Sequence, residues 1–259
     1  MSAGILRRLL AHPLTAERQI DDPVTTELRK RIIASKPFLR AIYDEWYGLL
    51  AEHLPPMPGP VLELGSGAGY CRRFIPSLIT SEVFLCGGIQ MVADAQRIPF
   101  SDGSLRAIVF TDVLHHLPDV RRFLGEAGRC LHPGGKILMI EPWVSPWSRF
   151  VFTRFHHEPF RPEAETWEFP SSGPLSGANG ALPWIVFARD RSTTERQFPE
   201  LSIETIQPFM PFRYLLSGGV SARALMPGFT HALWRKFEEL LEPHMSRLAM
   251  FAFISVRKG

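Results

Sequence analysis

The sequence predicts an α/β fold built on a mostly parallel sheet, and three stretches carry that prediction. Val61-Leu62-Glu63-Leu64 runs into Gly65-Ser66-Gly67-Ala68-Gly69, and a short helical pattern follows from Cys71 to Ile75. That is a buried strand, a tight turn and a helix start. Leu105 to Phe110 reads as a buried parallel strand. A helical pattern from Phe123 to Leu131 then leads past Pro133-Gly134-Gly135 to a further strand at Ile137 to Ile140, closed by Glu141. Strands alternating with helices are the pattern of parallel units.

At 259 residues the chain can bury one large core, with room for a subdomain. With 45% hydrophobic and 21% charged residues it has a globular composition. A net charge of +3 is too weak a bias to point to nucleic acid. Cys71, Cys86 and Cys130 are scattered, with no C-x-x-C pair. They suit a reducing compartment and give no metal site, so the cytoplasm is the expected location. No apolar run approaches the ~20 residues of a membrane span. Arg7 and Arg8 interrupt the apolar stretch at the start, which makes it a poor secretion signal.

The glycine turn is the first chemical signal. Glycines let the backbone turn sharply and approach a ligand, and N–H groups at a helix start face an incoming polar group. The spacing G-x-G-x-G differs from the G-x-G-x-x-G of dinucleotide sites, and no Gly-Lys-Ser/Thr follows. Glu63 stands two residues before the first glycine. A carboxylate there repels phosphates and welcomes an ammonium group.

Four stretches, in order, resemble the class I S-adenosylmethionine-dependent methyltransferases, in particular the broad small-molecule type 11 group. They are Glu-Leu-Gly-Ser-Gly-Ala-Gly at 63–69, Asp-Ala-Gln-Arg-Ile-Pro-Phe-Ser-Asp-Gly-Ser at 94–104, Thr-Asp-Val-Leu-His-His-Leu at 111–117 and Arg-Cys-Leu-His-Pro-Gly-Gly-Lys at 129–136. The resemblance covers about 58–142 well and the rest weakly. It implies a Rossmann-like, seven-stranded, mostly parallel sheet. S-adenosylmethionine is the implied cofactor, held by Glu63, Gly65, Ser66, Gly67 and Gly69 of the turn. An acid at the end of strand two takes both ribose hydroxyls in this family; Glu82, with Val83 beside it, is the candidate, because two carboxylate oxygens match two adjacent donors. Asp94 and Ala95 fall where the family holds the adenine. The Thr111 carbonyl falls where it can meet the cofactor's ammonium group. His115 and His116 open the next helix and are the candidate catalytic residues, since an imidazole titrates near neutrality.

The rest of the chain is read around this frame. Ile5, Leu6, Leu9 and Leu10 beside Arg7 and Arg8 fit either an amphipathic helix on a membrane surface or a plain terminal helix. Residues 22–54 are helical, started by Asp21 or Asp22 before Pro23 and broken by Pro37. A strand at Leu78 to Val83 ends near Glu82. Only Val83 to Gly88 then separates it from Ile89 to Val92, too few residues for a crossover helix. A bare loop, a reduced third strand or a hairpin at Gly87-Gly88 are the three ways to accommodate that.

Residues 142–176 are rich in aromatics interleaved with Arg149, Arg154 and Arg161, which suits an acceptor pocket, a lipid-linked substrate at a membrane face, or a partner surface. His156-His157-Glu158 matches no standard ligand spacing, so no metal is expected. Gly173 to Gly180 is a candidate lid or hinge, and Tyr214 to Val220 a candidate wall of the same cavity. Strands at Leu201 to Ile206 and Leu248 to Val256, with a helix at 232–241 between them, complete the sheet, one strand antiparallel.

The expected organisation is a helical cap at 1–57 and a methyltransferase domain at 58–259 with a substrate insertion at about 142–200. The expected activity is methyl transfer to a small-molecule substrate. A methyltransferase of a lipid or lipid-linked glycan at a membrane surface, and a non-catalytic cofactor-binding protein on the same fold, are the alternatives; nucleic acid is not an expected partner.

Overall fold

A computed structural model describes residues 23–259 except 68, 157, 172 and 174–176. The readings placed on residues 1–22, and part of the Gly173–Gly180 loop, lie outside the described residues.

Two helices come first, α1 (Pro23–Ser35) and α2 (Pro37–Glu52). Pro37 separates them because it has no N–H for α1 to use, and it sits at the start of α2, where none is needed. Phe38, Leu39, Ile42, Tyr43, Trp46, Tyr47 and Leu50 recur at three- and four-residue steps and form the buried face of α2.

Seven strands follow: β1 (Val61–Glu63), β2 (Leu78–Glu82), β3 (Met91–Val92), β4 (Leu105–Thr111), β5 (Leu131–Pro142), β6 (Leu201–Phe209) and β7 (Phe251–Lys258). They form one sheet in the order β3-β2-β1-β4-β5-β7-β6. The first five are mutually parallel, and β7 runs antiparallel to both β5 and β6. The order reverses between β1 and β4, and ligands of open α/β sheets bind at such a switch point.

Two crossovers are short. The helix expected over Cys71–Ile75 is a single 3-10 turn, Tyr70–Arg73. β1 has only three residues, a rise of ~10 Å. A four-residue 3-10 turn rises ~8 Å, so it returns the chain far enough for β2 to start. Between β2 and β3 the crossing is a bare loop, and β3 is reduced to two residues. The pair is parallel, which rules out the hairpin. Gln90 secures the loop through its backbone and side chain, both bonded to Thr80.

On the other side of β1, β4 ends at Thr111 and a 3-10 turn, Leu114–His116, follows. Helix α3 (Val120–Cys130) starts later than His115 and His116, at an Asp119 cap whose side chain accepts the Arg122 N–H. Pro133-Gly134-Gly135, expected to end the helix, lies inside β5 instead. The β4–β5 register jumps from Leu105↔Leu131 to Ala107↔Lys136, so these residues form an irregularity in a longer strand. Helix α4 (Pro146–Phe155) follows β5, started by a capping box between Ser145 and Ser148.

The helical stretch 182–189 and helix α5 (Arg191–Gln197) lead into β6. Helices α6 (Arg213–Ser217) and α7 (His231–Leu240) lie between β6 and β7. Trp46 stacks on Tyr214 at 5.7 Å, and both rings meet Phe251, so α2, α6 and β7 share one aromatic core.

Candidate active site

The glycine turn is stitched to β2. Ser66 N–H donates to the Ser81 carbonyl at 2.9 Å, and Ser66 Oγ accepts the Ser81 N–H at 2.9 Å. Gly67 N–H donates to Glu82 Oε1 at 2.7 Å. Gly65 adopts φ 63°, and a Cβ there would come within 2.5 Å of Val113 Cγ2. Only glycine fits that position. The turn therefore brings Glu63, Gly65, Ser66, Gly67, Gly69 and Glu82 together at the carboxyl ends of β1 and β2.

Both acids there are buried. Burial raises the Glu82 carboxyl above its ordinary range, opposed by the N–H groups of Gly67 and Val83. Burial also pushes Glu63 up to about 8, with Glu82 adding to the rise against the Ser66 and Cys71 side chains. Glu63 Oε2 has no hydrogen-bond partner among the described residues. A buried carboxylate oxygen without a donor is costly to leave so, and an ammonium group satisfies it. That orphaned oxygen is the feature of these residues that fits S-adenosylmethionine, whose amino-acid end carries such a group.

Asp94 and Ala95 follow β3 by two residues. Asp94 is exposed, and its Oδ1 accepts the Gln96 N–H at 2.8 Å. The Ala93 N–H donates to the Glu82 carbonyl, which joins this loop to the end of β2. Thr111 ends β4, and nearby the buried Tyr47 has its phenol raised by burial and by the Glu63 carboxylate. Helix α1 covers this edge, its Glu27 carboxylate lying where a Cβ on Gly87 would fall.

A second group of polar side chains gathers beyond Thr111. Asp112 holds a left-handed backbone, φ 56°, rare for a residue with a side chain and concentrated at functional sites. Burial pushes its carboxyl up to about 7, with Glu141 and Glu158 adding to the rise against the charge of His115. Burial raises the phenols of Tyr43 and Tyr214, and the Asp112 carboxylate adds to both rises.

His115 and His116 are both buried and pull apart electrostatically. His115 Nδ1 lies 2.7 Å from Glu141 Oε2, and its Nε2 lies 3.5 Å from Glu158 Oε2. Burial works against charge on His115, and the two carboxylates override it, raising the imidazole to about 10. His116 Nδ1 meets the Gly177 carbonyl at 3.2 Å, and its Nε2 lies 3.7 Å from Glu158 Oε1. Burial and the neighbouring His115 charge hold His116 down at about 3.

Asp112, Glu141, Glu158 and Tyr43 belong to this cluster without having been candidate site residues in the sequence. Asp112 carried a weak signal, as the residue closing a buried strand at the sheet's carboxyl edge. Glu158 was weighed only beside His156 and His157, and nothing in the sequence joined it to His116, 42 residues before it.

Residues 80–139 match the family model described as a methyltransferase domain. Among solved structures, a geranyl diphosphate methyltransferase is 15% identical at a TM-score of 0.50, covering 88% of this chain and 82% of its own. The geranyl diphosphate C-methyltransferase of Streptomyces coelicolor A3(2) is 14% identical at a TM-score of 0.50, covering 89% of this chain and 80% of its own. At these identities the likeness speaks for the fold alone. The family match covers residues 80–139, and the likeness to these two structures gives the chain the fold of the class I S-adenosylmethionine-dependent methyltransferases.

Proposed function

We propose that the chain transfers a methyl group to an oxygen, nitrogen or carbon nucleophile of a small molecule. One observation carries this reading: Glu63 Oε2, buried at the end of β1, has no hydrogen-bond partner among the described residues, and the left-handed Asp112 follows the end of the neighbouring β4. A donor site and an acceptor site side by side at the carboxyl edge of the sheet is the arrangement that methyl transfer needs.

The bound cofactor supplies an electrophilic methyl on a sulfonium, so positioning and desolvation are the main demands on the protein. In this reading Glu63 and the Thr111 carbonyl receive the ammonium group. Glu82, with Val83 beside it, receives the ribose hydroxyls, and Asp94 and Ala95 the adenine edge. Asp112, at about 7, can accept a proton from an acceptor near neutral pH. His115, held protonated, orients its two carboxylates, and neutral His116 lines the wall. Helices α1 and α2 of the cap and the described residues of the insertion at about 142–200 close the site, and the reaction takes place in the cytoplasm.

Calorimetric titration with S-adenosylmethionine and S-adenosylhomocysteine, beside a Glu82→Ala variant, tests the donor half. Binding to the wild type that is lost in the variant is the expected result; equal binding to both moves the ribose contact elsewhere. A screen of small-molecule acceptors with the wild type tests the other half.

A second reading places the same reaction at a membrane surface. Phe229, Leu233 and Leu240 are 87%, 70% and 78% exposed along α7 and the turn before it. From Phe237 on that helix, ring contacts continue through Phe212 and Trp147 to the exposed Phe150 and Phe155 of α4. Arg149, Arg154, Arg235 and Lys236 lie on the same two helices. An aromatic face with basic neighbours suits a headgroup boundary. Sedimentation with anionic vesicles, weakened by salt and by Leu233→Glu, is expected on this reading; the absence of sedimentation removes it.

A further inference from the structure

We propose a divalent transition-metal site formed by His115 Nε2, His116 Nε2 and the carboxylate of Glu158. One ligand atom from each of the three residues lies within 4.8 Å of the others. No residue in this set was singled out as a metal ligand by sequence spacing, because the histidines precede the glutamate by more than forty residues and the fold brings them together.

The outer contacts fix which ring nitrogen faces the site. Glu141 Oε1 accepts the N–H groups of Val113 and Leu114 at 2.7 and 2.8 Å. Its other oxygen, Oε2, is therefore an acceptor for His115 Nδ1. A backbone carbonyl can only accept, so Gly177 likewise takes its proton from His116 Nδ1. Both imidazoles thus donate through Nδ1 and present Nε2 to the same carboxylate, and an ion bound there takes the place of the Nε2 proton that His115 carries without it. Metal-ligating histidines are oriented in this way, with the non-ligating nitrogen tied to a carboxylate or a carbonyl.

The spacing suits an ion as well. The two Nε2 atoms lie 3.5 and 3.7 Å from the Glu158 oxygens, long for direct hydrogen bonds. Ligands held at ~2.0–2.2 Å from a tetrahedral ion stand ~3.3–3.6 Å apart. His156 Nδ1, 3.8 Å from Glu158 Oε2, and Asp112 border the cluster without joining this set.

Two imidazoles and one carboxylate suit zinc, cobalt or iron(II), and three protein ligands leave at least one position open. An acceptor hydroxyl or carboxylate is the group such a position takes. The site itself does not depend on the methyl-transfer reading.

The test is titration of chelator-treated full-length protein with Co2+, followed by visible d–d absorption and by competition with a chromophoric chelator. The wild type is expected to bind one Co2+ per chain, and His116→Ala and Glu158→Gln to bind it at least ~10-fold more weakly. Glu158→Gln keeps the side-chain shape, so it serves if His116→Ala does not fold, and far-UV circular dichroism checks both. S-adenosylhomocysteine titration of the same variants separates loss of the metal from loss of the cofactor site, and it is expected to be retained. A wild type that takes up neither Co2+ nor Zn2+, or variants that bind Co2+ as well as the wild type, overturns the proposal and leaves the three groups as a proton-bridged ion cluster.

Discussion

Glu141 holds His115 with one oxygen and the backbone of the turn that carries His115 with the other. Oε2 lies 2.7 Å from the ring, and Oε1 receives two N–H groups from Val113 and Leu114. One carboxylate thus fixes both the side chain and the peptide it hangs from. Glu141→Ala leaves two buried donors and a buried imidazole without it. It is expected to cost about 3–5 kcal/mol, read by thermal and urea unfolding. Glu141→Gln, which keeps an acceptor for the backbone, is expected to cost less.

The same pair sets a dependence on alkali. His115 is raised from its ordinary value near 6.5 to about 10 in the folded chain. A histidine raised on folding contributes stability that is complete below pH ~6.5 and is lost as pH rises through about 10. The melting temperature of the wild type is therefore expected to fall between pH 7 and 10. In His115→Gln that part of the fall should be missing; an identical decline in both chains would show that His115 is not its source.

On the proposed reading, Glu63 gives cofactor binding its own pH dependence. Its carboxyl, at about 8 in the cofactor-free chain, must ionise to meet an ammonium group. Affinity for S-adenosylhomocysteine is expected to rise with pH from 6 to 8, by at most about tenfold per unit, and then level off. Glu63→Gln should flatten the profile in calorimetry. For folding without cofactor the sign is the reverse: the raised Glu63 contributes stability in full below pH ~4.5 and loses it as pH rises through about 8.

The glycines of the turn are not equivalent. An alanine at Gly65 combines φ 63° with a 2.5 Å approach to Val113 Cγ2, whereas a Cβ at Gly69, φ 68°, meets nothing within 4 Å. Gly65→Ala is expected to lose about 1–3 kcal/mol, with cofactor affinity falling alongside. Gly69→Ala carries the backbone strain alone and should lose less. Equal unfolding free energies for the two variants would contradict the close contact.

Arg213 is buried between Glu45 of α2 and Glu238 of α7, with its backbone N–H also given to Glu238. Arg213→Ala strips the partner from two carboxylates at once. A loss of about 3–5 kcal/mol is expected from denaturant unfolding.

The donor half of the site was legible because it is local. Glu82 closes a short apolar strand, Glu63 precedes a glycine turn, and both strand ends lie where their sequence places them. The break at Pro37 and the missing crossover helix after Glu82 were readable for the same reason, from residue chemistry and from segment length. The collapse of the helix at 71–75 to one 3-10 turn was not, since it follows from β1 being only three residues long. Nor was the second polar cluster. Asp112 owes its role to a backbone conformation, and Glu158 reaches His115 and His116 through the packing of the segment after α4, which no periodicity announces.

Helix α2 leaves the ribosome well before the residues that fasten it. Glu45 pairs with Arg213, 168 residues later, and Lys36 at the head of α2 donates to the carbonyls of Gly219 and Ala222. Trp46 waits likewise for Tyr214 and Phe251. This helix is therefore made well before it is locked. Ordering of this helix is a late, long-range step of folding, and until it is complete the nascent chain presents an apolar face for chaperones to shield.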